Sequence, residues 1–455
     1  MRPFRAVTLA LTLAFVTSAC TGADPGVGEG RSPEPDVTSA APSPVPTSST
    51  QGPTPSTTPV TGPTGPTGST TVALGGAGSF RLDGTYPPIE SSCRRFRQPT
   101  FEARYPGDVL VERGDGKTLR VIVSVSFHDY LRGIAEVPPT WPAAALEAQA
   151  IAARSYALAR IGFTGPDGAT LETPICATTD CQVYRGIPLE RTPGIERWYA
   201  AVRRTRGRAL VFDGRPADAV YFSTSNGRTY GNDEVFGSAP LPYLRGAVEL
   251  DDGASPMSRW RVPLPYDDLS TFLATRGLRD EGRITHVRRR GGTVEIRGGG
   301  GTTRVDEAEF RGAVNGAAPC LFPGRYPTDS RFGTDLPVTI PSRWYTTAPG
   351  RGEVVFEGRG WGHGVGLVQW GAYGKARKGW STARILAHYY GGLEPRRFPE
   401  PGAIRVLVVE GISGLTITPE APGASVAGDQ LEDRVVVVEP GGDGLRVRVR
   451  RPAEA

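Results

Sequence analysis

Glu136 is the carboxylate of this chain best placed by its neighbours to work as an acid. It stands between Gly133-Ile134-Ala135 and Val137-Pro138-Pro139. The prolines restrict the loop, and the apolar residues can strip water from the carboxyl group. Desolvation disfavours the charged form and raises the pKa, as a proton donor at neutral pH requires. A second chemistry-bearing stretch runs from Gly358 to Gly374, where His363 and Gln369 are polar side chains in a glycine-rich, largely apolar loop. Glycine lets a ligand approach the backbone closely. His363 and Gln369 suit hydrogen bonding to a polar ligand, with Trp361 or Trp370 stacking on a ring face, and a purely structural role is the alternative for the histidine. The glycine spacing provides neither a G-x-G-x-x-G fingerprint nor a Walker A lysine, so no nucleotide and no cofactor is expected. Ser225 and Asn226 are further candidates for lining a binding groove.

The helix expected over Pro142–Ile161 follows Glu136 directly. Thr140 suits its N-cap and Pro142 its first turn, where a missing N–H costs nothing. Nine alanines between Pro142 and Arg160 permit close packing. At 3.6 residues per turn, Gln149 and Tyr156 share a face with Ala145, Ala152 and Ala153, while Glu147 and Arg154 lie beside Ile151 and Leu158. Neither side is cleanly polar, so a buried helix is expected, with Gln149, Arg154 and Tyr156 aimed at specific partners and counted as substrate-binding candidates. A second helix is expected at Ser381–Tyr390. Strands are expected at Val109–Val111, Leu119–Ser126, Ala209–Phe212, Ala219–Ser223, Thr293–Ile296 and Glu353–Glu357, and again at Ile404–Val409, Val435–Val438 and Leu445–Val449. The class is α+β with strand predominating, without the strand–helix alternation of a doubly wound sheet.

The start of the chain carries a different signal. Arg2 and Arg5 precede an uncharged apolar run from Ala6 to Val16, too short to span a bilayer as a helix of about 20 residues. With the small residues Thr17-Ser18-Ala19 before Cys20, residues 1–20 read as an export signal. Their end resembles the lipobox of bacterial lipoproteins, although Thr17 stands where that pattern usually has an aliphatic residue. Cys20 is the expected lipidation site and membrane anchor. Residues 21–79 are rich in Pro, Thr, Ser and Gly and are expected to form a disordered linker. Stretched as polyproline II they would reach at most roughly 180 Å, and as a coil nearer 45 Å. Residues 80–400 are expected as the main domain and 401–455 as a strand-rich C-terminal segment. The formal net charge of +5 comes from scattered arginines, with Arg288-Arg289-Arg290 the one tight run. Export and this scatter argue against nucleic acid as a partner. Apart from Cys20, the remaining four of five cysteines form an even set in a disulfide-permissive compartment. Of three pairings, Cys176 with Cys181 is the local choice and leaves Cys93 with Cys320.

Several stretches together resemble the SpoIID/LytB family of sporulation and amidase-enhancer proteins. They are Asp129-Tyr130-Leu131-Arg132-Gly133-Ile134-Ala135-Glu136-Val137-Pro138, with Trp141-Pro142 and Ala145–Ala157; Cys181-Gln182-Val183-Tyr184; Tyr221–Thr229; and Gly358–Gly374, running on to His388-Tyr389-Tyr390-Gly391-Gly392. The resemblance implies a peptidoglycan lytic transglycosylase that cuts between N-acetylmuramic acid and N-acetylglucosamine, favouring strands stripped of stem peptides by amidases. Glu136 occupies the position of the family's catalytic acid. Other members enhance an amidase, so a cell-wall amidase is an implied partner beside the glycan strand, and a binding-only enhancer is the implied rival function. A 1,6-anhydro product needs one carboxyl group, not the spaced pair of a hydrolase. Asp129, the nearest other acid upstream, suits a helix N-cap instead. Some members bind zinc through two cysteines and two histidines near the equivalent of Cys176 and Cys181. Here Asp180 precedes Cys181 and no histidine lies between His128 and His286, so a disulfide and no metal is expected.

Overall fold

A computed structural model describes residues 70–76, 78–87, 101–166, 173–280, 282–322, 324–326 and 339–452. The expected signal, Cys20, Cys93 and most of the expected linker lie outside these residues. The architecture is mixed α+β and strand-rich. Its α-helices among the described residues are α1 (Phe127–Arg132), α2 (Ala143–Arg160), α3 (Ile195–Arg204), α4 (Asn232–Phe236), α5 (Tyr266–Thr275), α6 (Glu307–Leu321), α7 (Gln369–Arg377) and α8 (Thr382–Tyr389).

Two larger sheets frame the first core. A seven-stranded sheet has Leu119–Ser126 between Asp108–Arg113 and Ala403–Ile412, both antiparallel to it. A five-stranded sheet joins Ser79–Thr85 to Phe101–Pro106 and Gly414–Pro419. The residues beyond 401 therefore complete both sheets and share their core. A strand, Thr71–Gly75, also lies within the stretch expected as linker. Thr71–Gly75 pairs with Asp108–Arg113 because Val72 and Leu74 alternate with small residues, and Leu74 is buried.

Helix α2 is buried along most of its length, and α3, α7, α8 and the strand Arg208–Phe212 pack on it. Alanine leaves little side chain to separate the axes, so this helix can have neighbours on several sides. It starts one residue later than expected. Pro142 takes the cap position with φ −56° and ψ 144°, and its carbonyl accepts from Ala145 and Leu146 N–H at 3.0 and 3.1 Å. Thr140 supplies no cap: Trp141, the residue before Pro142, is kept out of the helical region by the proline ring, so the helix cannot start early enough for Thr140 to cap it. Asp129 is likewise not the cap of α1. Ser126 Oγ accepts from Asp129 N–H at 3.1 Å, and the Asp129 carboxylate accepts from Ser126 Oγ and Arg132 at 2.6 and 3.0 Å.

A second core lies between Met257 and Phe356. It packs α5 and α6 against two three-stranded sheets, one of Trp260–Pro265, Glu353–Gly358 and Tyr345–Pro349, the other of Ile284–Arg290, Thr293–Gly298 and Gly301–Asp306. Helix α6 contains Gly312, Gly316 and Pro319, which hide it from a reading based on propensity.

Candidate active site

The strand Leu119–Ser126 runs into α1, and the Glu136 loop follows. That loop is fastened to residues 183–185: Ala135 N–H donates to Val183 O and Arg185 N–H to Gly133 O, each at 2.8 Å. Val183 N–H then donates to Glu136 Oε1 at 2.7 Å. The Cys176–Cys181 disulfide, with Cα atoms 5.5 Å apart, closes the turn just ahead of this segment. This is the local pairing expected from the sequence. Cys320 is also disulfide-bonded.

Two further side chains hydrogen-bond to the Glu136 carboxyl: Tyr221, from the strand Tyr221–Phe222, and Gln369, the first residue of α7. Burial pushes the Glu136 carboxyl above the usual carboxylate range. The bonds from Val183, Gln369 and Tyr221, and the charge of Arg185, oppose that shift without cancelling it. Glu136 as a residue keeps partial exposure. Its neighbours form a neutral relay. Tyr221 Oη donates to Gln182 Oε1 at 2.7 Å, and Gln182 Nε2 donates to Tyr130 Oη at 2.9 Å.

The stretch Gly358–Gly374 is only partly the loop that its glycines suggest. After Gly366 it forms a short strand, Leu367–Val368, parallel to Tyr221–Phe222, and then α7. Gly366 needs its glycine: its φ is +77°, and a Cβ there would lie 2.0 Å from Val220 O. Gly374 sits inside α7 because a Cβ would meet Asp251 O at 1.9 Å. Close approach explains these glycines.

The structure divides the sugar-binding candidates. Gln369 Nε2 reaches Gln149 Oε1 at 3.5 Å, and Gln149 Nε2 is buried with no partner among the described residues. Tyr156 packs edge-on to Tyr221 at 6.4 Å and under the Arg160 guanidinium. These three residues gather around Glu136. His363 does not offer a nitrogen to a sugar. Its Nδ1 accepts from Val365 N–H at 3.1 Å, which leaves Nε2–H to donate to Tyr221 O at 2.9 Å. Burial pushes its pKa down to about 4, so the ring is neutral and holds the strand that carries Tyr221. Arg154 is 1% exposed and donates to Glu400 Oε1 at 2.6 Å and to the carbonyls of Val202 and Arg208. It ties α2 to α3 and the following strand. Ser225 is spent on Asp252, which accepts from both its N–H and its hydroxyl at 2.7 Å. Asn226 lines a separate cleft on the second core. Trp370 packs against Trp141 and Tyr373 with ring centroids 5.0 and 5.4 Å away.

Tyr221, Gln182 and the Val183 N–H were not singled out as site groups from the sequence. Their signal was present in the blocks Cys181–Tyr184 and Tyr221–Thr229, which carry resemblance without revealing which atoms turn inward.

Comparison with known proteins agrees with these blocks. The SpoIID family model, described as stage II sporulation protein, matches residues 115–212. An uncharacterized protein of Brachyspira hyodysenteriae is 30% identical over 281 residues, covering 61% of this chain and 68% of that protein. The stage II sporulation protein D of Bacillus subtilis is 26% identical over 290 residues, 60% of this chain and 75% of its own length. The amidase enhancer of Bacillus subtilis is 26% identical over 296 residues, 56% of this chain, and the match spans only 38% of that larger protein. With the Glu136 loop and residues 182–185 lying within the matched region, the chain belongs to the SpoIID family.

Proposed function

We propose that this protein is a lytic transglycosylase of cell-wall peptidoglycan, with Glu136 as the single acid–base group. The observation that carries the reading is a carboxyl raised by burial, held by the Val183 N–H and flanked by the neutral side chains of Tyr221 and Gln369. Protonated Glu136 gives its proton to the glycosidic oxygen between N-acetylmuramic acid and N-acetylglucosamine, and the C1–O bond breaks. The resulting carboxylate takes the proton of the muramic acid 6-hydroxyl as O6 bonds to C1. The product ends in 1,6-anhydromuramic acid, and Glu136 is protonated again. Gln149, Tyr156 and Gln369 border the reacting sugar. His363, Arg154 and Ser225 hold the frame.

The SpoIID family's link to peptidoglycan remodelling and the disulfide both suit work outside the cytoplasm. Cys20 anchors the protein to the membrane by lipid, and Cys93 pairs with Cys320. Digestion of intact and peptide-stripped peptidoglycan, followed by mass spectrometry, tests the chemistry. Anhydro ends, more abundant from stripped strands, are the expected products. Reducing ends would mean that water is the acceptor and would sink the transglycosylase mechanism. The likeness to an amidase enhancer supports a second reading, in which the protein binds glycan and stimulates an amidase without cutting. No product from either substrate, together with strand binding, would favour it.

A further inference from the structure

The second core carries a cleft of about 750 Å³ whose chemistry differs from that around Glu136. Its wall includes Arg259, Arg261, Arg289 and Arg359, with Trp344 and Asn226. One acid, Glu357, shares the wall and lies 3.5 Å from Arg261 in an exposed pair, so positive charge remains in excess. Arg289 is committed to Tyr345, through its carbonyl at 2.9 Å and its ring at 4.6 Å. The Arg259 and Arg359 side chains make no hydrogen bond or ion pair among the described residues, and both are exposed. Asn226 Nδ2 donates to Tyr230 Oη at 2.7 Å, while its buried Oδ1 has no partner there. Trp344 is half-buried and backed by Tyr230, stacked at 5.7 Å.

This cleft adjoins the glycine-rich loop. Tyr230 N–H donates to Gly364 O at 2.8 Å, and Arg359 N–H donates to Trp344 O at 3.0 Å. His363, next to Gly364, holds Tyr221, which bonds to Glu136. From Tyr221 to Asn226 is five steps of chain, at most about 18 Å even if fully extended. The two places are therefore within the reach of one polymer strand.

We propose that the cleft binds a carboxylate-bearing sugar of the same glycan strand, recognising the free lactyl carboxylate that muramic acid carries once its peptide is gone. The inference rests on the glycan reading above. A guanidinium donates paired hydrogen bonds to a carboxylate, and a supported indole offers a flat apolar surface to a sugar ring. An amide-linked lactyl group presents no charge at that point, so peptide removal creates the feature that Arg259 and Arg359 would read.

The test measures binding by calorimetry in the Glu136→Gln background, so that cleavage plays no part. The probes are peptide-stripped glycan strands and the same strands with their lactyl carboxyls converted to neutral methylamides. Unmodified strands should bind about ten- to a hundred-fold tighter, the range for hydrogen bonds to charged groups. Adding Arg259→Ala and Arg359→Ala should erase that difference while leaving the methylamide strands unaffected. Equal affinity for the two strands, or no change in the arginine variant, would overturn the proposal. Arginine-dependent binding of a phosphate-rich wall polymer that stripped strands cannot displace would also overturn it, assigning the cleft to phosphate. Anhydro products from wild-type protein despite equal affinities would spare the enzyme reading and remove only this one.

Discussion

Glu136 is met by Val183 N–H, Tyr221 and Gln369, all neutral, whereas the cleft on the second core is walled by Arg259, Arg261, Arg289 and Arg359. The first set lies against the alanine-rich α2 and its neighbours, where burial sets the proton affinity of one carboxyl group. The second lies near exposed strand ends, where the Arg259 and Arg359 guanidinium groups face water. An ion pair beside Glu136 would pull its pKa down and hold the carboxylate charged. Neutral donors orient it while leaving desolvation dominant. The contrast teaches that proton transfer and charge recognition make opposite demands on one protein surface and are best met in separate places.

The sharpest way to break this comparison is Glu136→Gln. It keeps shape and hydrogen bonding but cannot cycle a proton, so glycan cleavage should fall by about 10²–10⁴-fold while strand binding survives. Release of anhydro products at the wild-type rate would defeat the role given to Glu136.

Arginine supplies the next contrast, between buried and exposed positions. Arg154→Met leaves Glu400 without its buried partner and should destabilise the fold by about 3–5 kcal/mol in thermal or denaturant unfolding. Arg259→Ala, at the exposed cleft, should stay within about 0.5 kcal/mol of wild type. Equal effects would show that the two regions do not differ as described.

His363 tests the neutral side through pH. Its pKa falls from 6.5 in the unfolded chain to about 4 in the fold. The unfolded state therefore binds more protons between these values, and stability is lost as pH falls through that window. The loss approaches roughly 3 kcal/mol at one pKa unit per 1.36 kcal/mol. Unfolding curves from pH 7 to 4 should be flatter for His363→Asn than for wild type. Parallel curves would mean that His363 titrates normally.

The smallest effect is expected from Tyr221→Phe. Its hydroxyl favours the charged form of Glu136, so removing it should raise that pKa further and move the basic limb of the pH–rate profile to higher pH. The accompanying loss of rate should be modest, since a neutral hydrogen bond is worth about 1 kcal/mol. A limb that moves to lower pH would contradict the geometry.

Much of the fold is legible in local pattern. Leu119–Ser126 alternates β-branched residues and pairs as a strand over the range expected. Alanine density marks α2, and Ser381 caps α8 as its residue type suggests. Two of the helices not expected, α6 and α7, share a cause. Helices α6 and α7 contain glycines and a proline that local propensity counts against them, and tertiary contacts override that count. In the candidate site, Glu136 was legible because its prolines and apolar neighbours adjoin it in sequence. Tyr221 and Gln182 were not, because they reach it across the fold.

By itself, the sequence determined what contiguous residues can determine: the family blocks, the short-range cysteine pair and a carboxyl group flanked by apolar residues and prolines. Tertiary structure decided where each polar atom is spent. It committed both nitrogens of His363 to the backbone, buried Arg154 against Glu400, and turned Gln369 toward Glu136. Those outcomes depend on sheet register and helix packing between distant segments. A hydrogen bond selects its partner by distance and direction in space, and residue type alone carries neither.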